Sequence, residues 1–65
     1  GILLNHLERS MEKIISSIEY NIEHQNLEDA FLKYRDLTWT LNKSRYIIQN
    51  KDLLMRLQII KMLLS

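Results

Sequence analysis

Leu4-Asn5-His6-Leu7-Glu8-Arg9-Ser10-Met11-Glu12-Lys13-Ile14-Ile15-Ser16-Ser17-Ile18 is the stretch on which the fold turns. Leu4, Leu7, Met11, Ile14 and Ile18 recur at steps of 3, 4, 3 and 4, which returns them to one face of an α-helix. Leu3, Ile15 and Ile22 widen that stripe. The opposite face carries Glu8, Arg9, Glu12, Lys13, Ser16 and Glu19. There Glu8 to Glu12 and Arg9 to Lys13 are like-charge pairs, so solvation rather than ion pairing explains it. The spacing predicts a first helix over about residues 3–22.

Outward from this segment, the composition leaves little except more helix. The 65 residues hold one glycine, no proline and no cysteine, which excludes loop-rich and disulfide-stapled small folds. With 46% hydrophobic and 26% charged residues, the chain is neither a disordered tail nor a membrane protein. One domain is all the length allows, and a chain this short buries only about 60% of its unfolded surface.

Asn26-Leu27-Glu28-Asp29 offers a cap oxygen followed by acids in the first turn, and predicts the start of a second helix. Leu27, Ala30, Phe31, Tyr34, Leu37 and Leu41 mark its expected buried face. Leu32 and Trp39 lie off that face. Thr38-Trp39-Thr40 is a poor helix-forming run, so the pattern leaves two endings open: helix two over 27–38, or its continuation to as far as 49. A third helix is expected over 52–64, capped by Asp52. Nine of the twelve residues from Leu53 to Leu64 are apolar, with Leu53, Leu57, Ile60 and Leu64 on one stripe and Met55, Ile59 and Met62 on another. A helix apolar on two faces needs cover on two faces, and two neighbours supply only one. The expected architecture is all-α, a small bundle of three to four helices, either a fragment or one half of an oligomer.

The residues carry no constellation for catalysis. There is no cysteine nucleophile or glycine-rich elbow, and His6 and His24 are 18 residues apart on the first helix, about 27 Å at 1.5 Å per residue. They cannot share a metal. We therefore expect no enzyme, no metal and no cofactor. Net charge is +1 with both signs scattered, so nucleic acid is not an expected direct partner. Arg56, Gln58 and Lys61 interrupt the most apolar run short of the roughly 18 residues a membrane span needs. Gly1-Ile2-Leu3-Leu4 is too short for a signal peptide, and an intracellular protein is the default reading.

Two residue types remain as candidates for contact with a partner. A lone tryptophan is more often a core anchor than a binding residue, but Trp39 stands off the main stripe. Met55 and Met62 are usual core filler, yet thioethers also suit surfaces that accommodate several partners.

From Leu7 onward the chain resembles the integrase-binding domain of the LEDGF and hepatoma-derived-growth-factor-related family, a helical bundle related to the N-terminal domain of elongation factor TFIIS. The resemblance is carried by Leu7-Glu8-Arg9 with Glu12, Ile14 and Ser17, by Tyr34 to Leu41, and by Leu54-Met55-Arg56-Leu57 with Lys61. It implies a nuclear, chromatin-associated scaffold domain that holds short, disordered, acidic segments of partner proteins. The family's binding loops map near Tyr20 and Asn21 and near Ile60 and Met62. Apolar contact would then come from Ile60, Met62 and Trp39, with Met55 and Ile59 on the same helix, and Arg56 and Lys61 would receive acidic side chains. The chain departs from the family in having Met55, Gln58 and Ile59 where a basic cluster stands, and in lacking the final helix.

The same residues allow a second reading: a helical homo- or hetero-oligomerisation domain that assembles through the last helix and the first-helix stripe. The partner expected in either case is a protein, as a short peptide segment or a helical subunit, and a homodimer is one such assembly.

Overall fold

The 3-and-4 spacings close into three helices, α1 (Ile2–Glu23), α2 (Leu27–Ser44) and α3 (Lys51–Leu64). The structure, a computed structural model, describes the backbone of residues 2–65 and the side chains of residues 6–65. No strand occurs among the described residues. Three residues join α1 to α2, which makes those helices antiparallel neighbours. Glu8 meets Gln49 and Glu19 meets Arg56, so α3 runs in the same direction as α1.

The core is a seam of Met11, Ile15 and Ile18 from α1, Ala30 and Leu37 from α2, and Leu53, Leu57 and Ile60 from α3. Ile22, Tyr34, Leu41, Tyr46 and Leu64 pack around it. The buried line of α1 is therefore 11-15-18-22 rather than 7-11-14-18. At 100° per residue Leu7 and Ile14 fall roughly 60° to one side of it, and both are partly exposed. Leu3 and Leu4 lie outside the described side chains. In α2 the expected inward pair Leu27 and Phe31 is half exposed, on the flank of the Ala30-Tyr34-Leu37-Leu41 line.

Helix α2 does not end before Trp39. Thr38 Oγ1 donates to the Arg35 carbonyl at 3.0 Å and Thr40 Oγ1 to the Asp36 carbonyl at 2.8 Å, so both hydroxyls fold back onto the preceding turn and the helix accommodates them. Both α1 and α2 close with the same six-residue turn. In the first, Gln25 N donates to Ile22 O and Asn26 N to Asn21 O; in the second, Arg45 N donates to Asn42 O and Tyr46 N to Leu41 O. Each turn needs one left-handed residue. The chain has no glycine beyond Gly1, so Gln25 (φ 61°) and Arg45 (φ 56°) take that conformation instead.

The two helix starts differ from expectation for the same reason. Asn26 is already fixed by the closing turn of α1, and its side chain makes no capping bond; its Nδ2 donates to Asp29 Oδ2 at 2.9 Å. At α3 the cap is Asn50, not Asp52: Asn50 Oδ1 accepts from Asp52 N at 2.9 Å and Leu53 N at 3.3 Å. Asp52 lies inside the first turn. Asn50→Ala is therefore expected to lower the unfolding free energy by about 1 kcal/mol, and Asn26→Ala by a few tenths at most. Urea midpoints of the two variants, measured side by side, check the order.

Residues 45–50 form no helix. Past the left-handed Arg45, Tyr46 and Ile48 are turned to the core and Ile47 is turned out, an alternation of period two. Ile48 is a core residue that helical spacing could not find.

Candidate functional site

With Leu53, Leu57 and Ile60 in the core and Leu64 packed against it, Met55, Ile59, Met62 and Leu63 of α3 stay exposed. Met55, Ile59 and Leu63 are four residues apart and form one ridge, with Met62 beside it. Exposure runs from 49% at Ile59 to 75% at Met62. The ridge carries no ionisable side chain. Leu63 belongs to it by its i+4 spacing from Ile59, a signal present in the sequence that the 55-59-62 reading passed over.

The other expected contact residues divide sharply. Ile60 is 1% exposed and sits in the core, because it shares the Leu53-Leu57 line and points away from Met62. It can touch no partner. Asn21 is buried as well, where its Oδ1 accepts from Lys33 Nζ at 2.7 Å. Among the described residues no buried side-chain nitrogen or oxygen lacks a partner, so Asn21 has a complete structural role. Tyr20 is exposed and its ring lies against His24, centroid to centroid at 4.1 Å. Lys61 is exposed and free of the ion pairs around Arg56. Trp39 is 62% exposed, which overturns the reading of it as a core anchor. It stands two residues, about 200°, around α2 from the buried Leu37. There Lys43 Nζ lies 4.6 Å from the ring centroid, a cation-π contact at an exposed site. Trp39 is thus on a different helix and a different face from the α3 ridge.

Arg56 is not available to an acidic partner. Its Nε donates to Glu19 Oε2 at 3.1 Å and its Nη2 to Glu19 Oε1 at 2.6 Å, a two-pronged pair. Nη2 also donates to Ser16 Oγ, and Nη1 lies 3.9 Å from Glu12 and 3.6 Å from Asp52. The hydrogen bonds to Glu19 hold the guanidinium above its ordinary pKa, against burial, which pulls the other way. One cation serves three carboxylates, so the cluster is net negative and repels further acid.

A second polar tie joins the ends of the connection to α1. Glu8 Oε2 accepts from Tyr46 Oη and from the Gln49 backbone N–H, both at 2.7 Å. These bonds, the tyrosine's first, hold the carboxyl below its ordinary value of 4.5. The same bond raises Tyr46 above 10.0. The sign follows. A lowered carboxyl contributes stability that is present above 4.5 and lost as pH falls through the folded value; a raised phenol contributes stability that is present below 10.0 and lost as pH rises through its folded value. Acid titration of wild type and Glu8→Gln, followed by circular dichroism, is expected to show a loss below about pH 4.5 that is smaller in the variant.

Among the described residues, no group of three or more His, Asp or Glu is placed to hold a metal ion. Among the described residues, no helix is long and apolar enough to cross a membrane. The fold and the exposed ridge define a class, a small three-helix all-α domain with an exposed apolar ridge on its last helix. Comparison with protein-family models, with curated proteins and with solved structures finds no match to any.

Proposed function

We propose that this chain is a non-enzymatic protein-protein interaction module that works through the outer face of α3, packing Met55, Ile59, Met62 and Leu63 against the same ridge of a second copy. The observation that carries the reading is the uncharged ridge itself. An apolar helix face in water is a cost that burial against another apolar helix removes. A ridge without ionisable groups can face its own copy with no like-charge penalty, which the Arg56 cluster on the flank could not do. The first-helix stripe offers no continuous face for this contact, because its Met11 and Ile18 are already in the chain's own core and only Leu7 and Ile14 are partly exposed.

The short-segment scaffold reading draws support only from the family resemblance. The buried positions of Ile60 and Asn21 and the neutralised Arg56 take three of its contacts away. The homotypic reading also has a scale. A stable interface buries about 800 Å² per partner, which is a large share of a total surface of 5243 Å². A strip on one 14-residue helix is smaller than that, and places self-association in the micromolar range. Sedimentation equilibrium is expected to show weight-average mass rising towards the dimer between about 10 and 500 µM. Met62→Glu should hold the chain monomeric with its helix content intact. A wild-type chain that stays monomeric throughout that range sinks the homotypic proposal.

A further inference from the structure

The α3 ridge is built from two kinds of apolar side chain. Ile59 and Leu63 are aliphatic, whereas Met55 and Met62 carry thioether sulfurs. Leucine at either methionine position would give a similar contact, because the two side chains exchange with little loss of packing. What methionine adds is a sulfur atom open to reversible oxidation.

The chain holds three methionines and no cysteine. Met11 is 2% exposed in the core, against 59% at Met55 and 75% at Met62. Within these 65 residues no thiol reacts with an oxidant first. Met55 and Met62 are two turns of α3 apart, so they mark both halves of the ridge, with Ile59 between them. A peroxide therefore meets two sulfurs on the contact face, and the third is enclosed by the fold.

We infer that Met55 and Met62 are oxidation sites through which a peroxide controls the self-association of this chain. The control rests on the homotypic reading of the ridge; the selectivity of the modification rests on burial alone. Each sulfur attacks one oxygen of hydrogen peroxide. An S–O bond forms as the O–O bond breaks, and the departing hydroxide takes the proton of the transferred oxygen and leaves as water. The sulfur loses two electrons and the peroxide gains them. The sulfoxide oxygen is a polar acceptor, and none of the four ridge side chains has an N–H or O–H to meet it. In the monomer water solvates it and the fold is untouched. In the dimer it is buried without a partner, and a symmetric contact takes two such groups from each copy.

The test treats the folded chain with dilute hydrogen peroxide, below the concentration of self-association, and maps the added oxygen by mass spectrometry of its peptides. Met55 and Met62 are expected to oxidise about tenfold or more faster than Met11. Sedimentation equilibrium of the doubly oxidised chain should then show a dimer dissociation constant raised about tenfold or more, with circular dichroism unchanged. The two methionine sulfoxide reductases, one for each epimer, should restore association in the presence of dithiothreitol. Met55→Leu with Met62→Leu should associate like wild type before and after the same treatment. Because that variant keeps Trp39 and Met11, it separates the ridge sulfurs from damage elsewhere. Oxidised wild type that associates as the untreated chain does overturns the inference and leaves the homotypic reading standing. So does Met11 oxidising as fast as the ridge methionines, or a double leucine variant that loses association on treatment. An untreated chain that stays monomeric overturns both.

Discussion

Ile60→Ser is expected to unfold most of the chain, while Met62→Ser, two residues away, leaves it folded. Ile60 is 1% exposed and among the largest fully buried side chains, alongside Ile15 and Ile18. Shortening an isoleucine there removes its transfer free energy and leaves a cavity, about 2–5 kcal/mol for an alanine replacement. Serine adds a hydroxyl with no buried partner, about 1–3 kcal/mol more. A single core in a chain under about 70 residues rarely supplies more than 3–5 kcal/mol in total. The loss therefore matches or exceeds what there is to lose. Met62 is 75% exposed, so its substitution stays within about 0.5 kcal/mol. Circular dichroism of the two variants decides it: a folded Ile60→Ser would mean that α3 is not docked on α1 and α2 through this line.

That contrast also shows what the chain discloses without coordinates. The three helices are legible because 3-and-4 spacing survives any tertiary arrangement, and the same spacing puts Leu53, Leu57, Ile60 and Leu64 on one of the two apolar stripes of the last helix. The error at Ile60 came from laying a loop-based binding site over that line, although its own spacing already grouped it with Leu53 and Leu57. The shift of the α1 seam from Leu7 and Ile14 to Met11, Ile15, Ile18 and Ile22 was not legible. Both lines satisfy helical periodicity, and only the position of α2 and α3 selects between them. Ile48 was hidden for another reason: its burial follows from a non-helical connection whose path is set by Glu8, 40 residues earlier in the chain. Pairings over such separations leave no local signature. The uncovered α3 ridge was legible, because a surplus of apolar residues is a property of composition and period together.

Arg56→Ala is expected to cost about 2 kcal/mol, the largest effect of any polar substitution in the chain. The guanidinium side chain is 22% exposed, and its main partner Glu19 is 41% exposed. The pair is thus intermediate between a surface ion pair, at about 0–1 kcal/mol, and a buried one broken on one side, at about 3–5 kcal/mol. Two charge-assisted bonds to one carboxylate favour the middle of that range. Removal also leaves Glu12, Glu19 and Asp52 facing each other without a cation, at the contact between α1 and α3. Arg56→Lys supplies a point charge but not the fork, and is expected to lose about 1 kcal/mol.

Salt separates this account from simple loss of packing. In wild type the raised pKa of Arg56 contributes stability that is full below the unfolded value and lost only as pH rises through the folded one. That window is strongly alkaline, so the contribution of Arg56 is constant at neutral pH. In Arg56→Ala the three carboxylates face one another without a cation. High salt should shrink the deficit relative to wild type, by screening repulsion in the variant and attraction in wild type. A deficit that ignores salt would mean that the arginine stem, not its charge, holds α3 against α1. A deficit that follows salt places the charge of Arg56 in the fold itself, at the contact between α1 and α3.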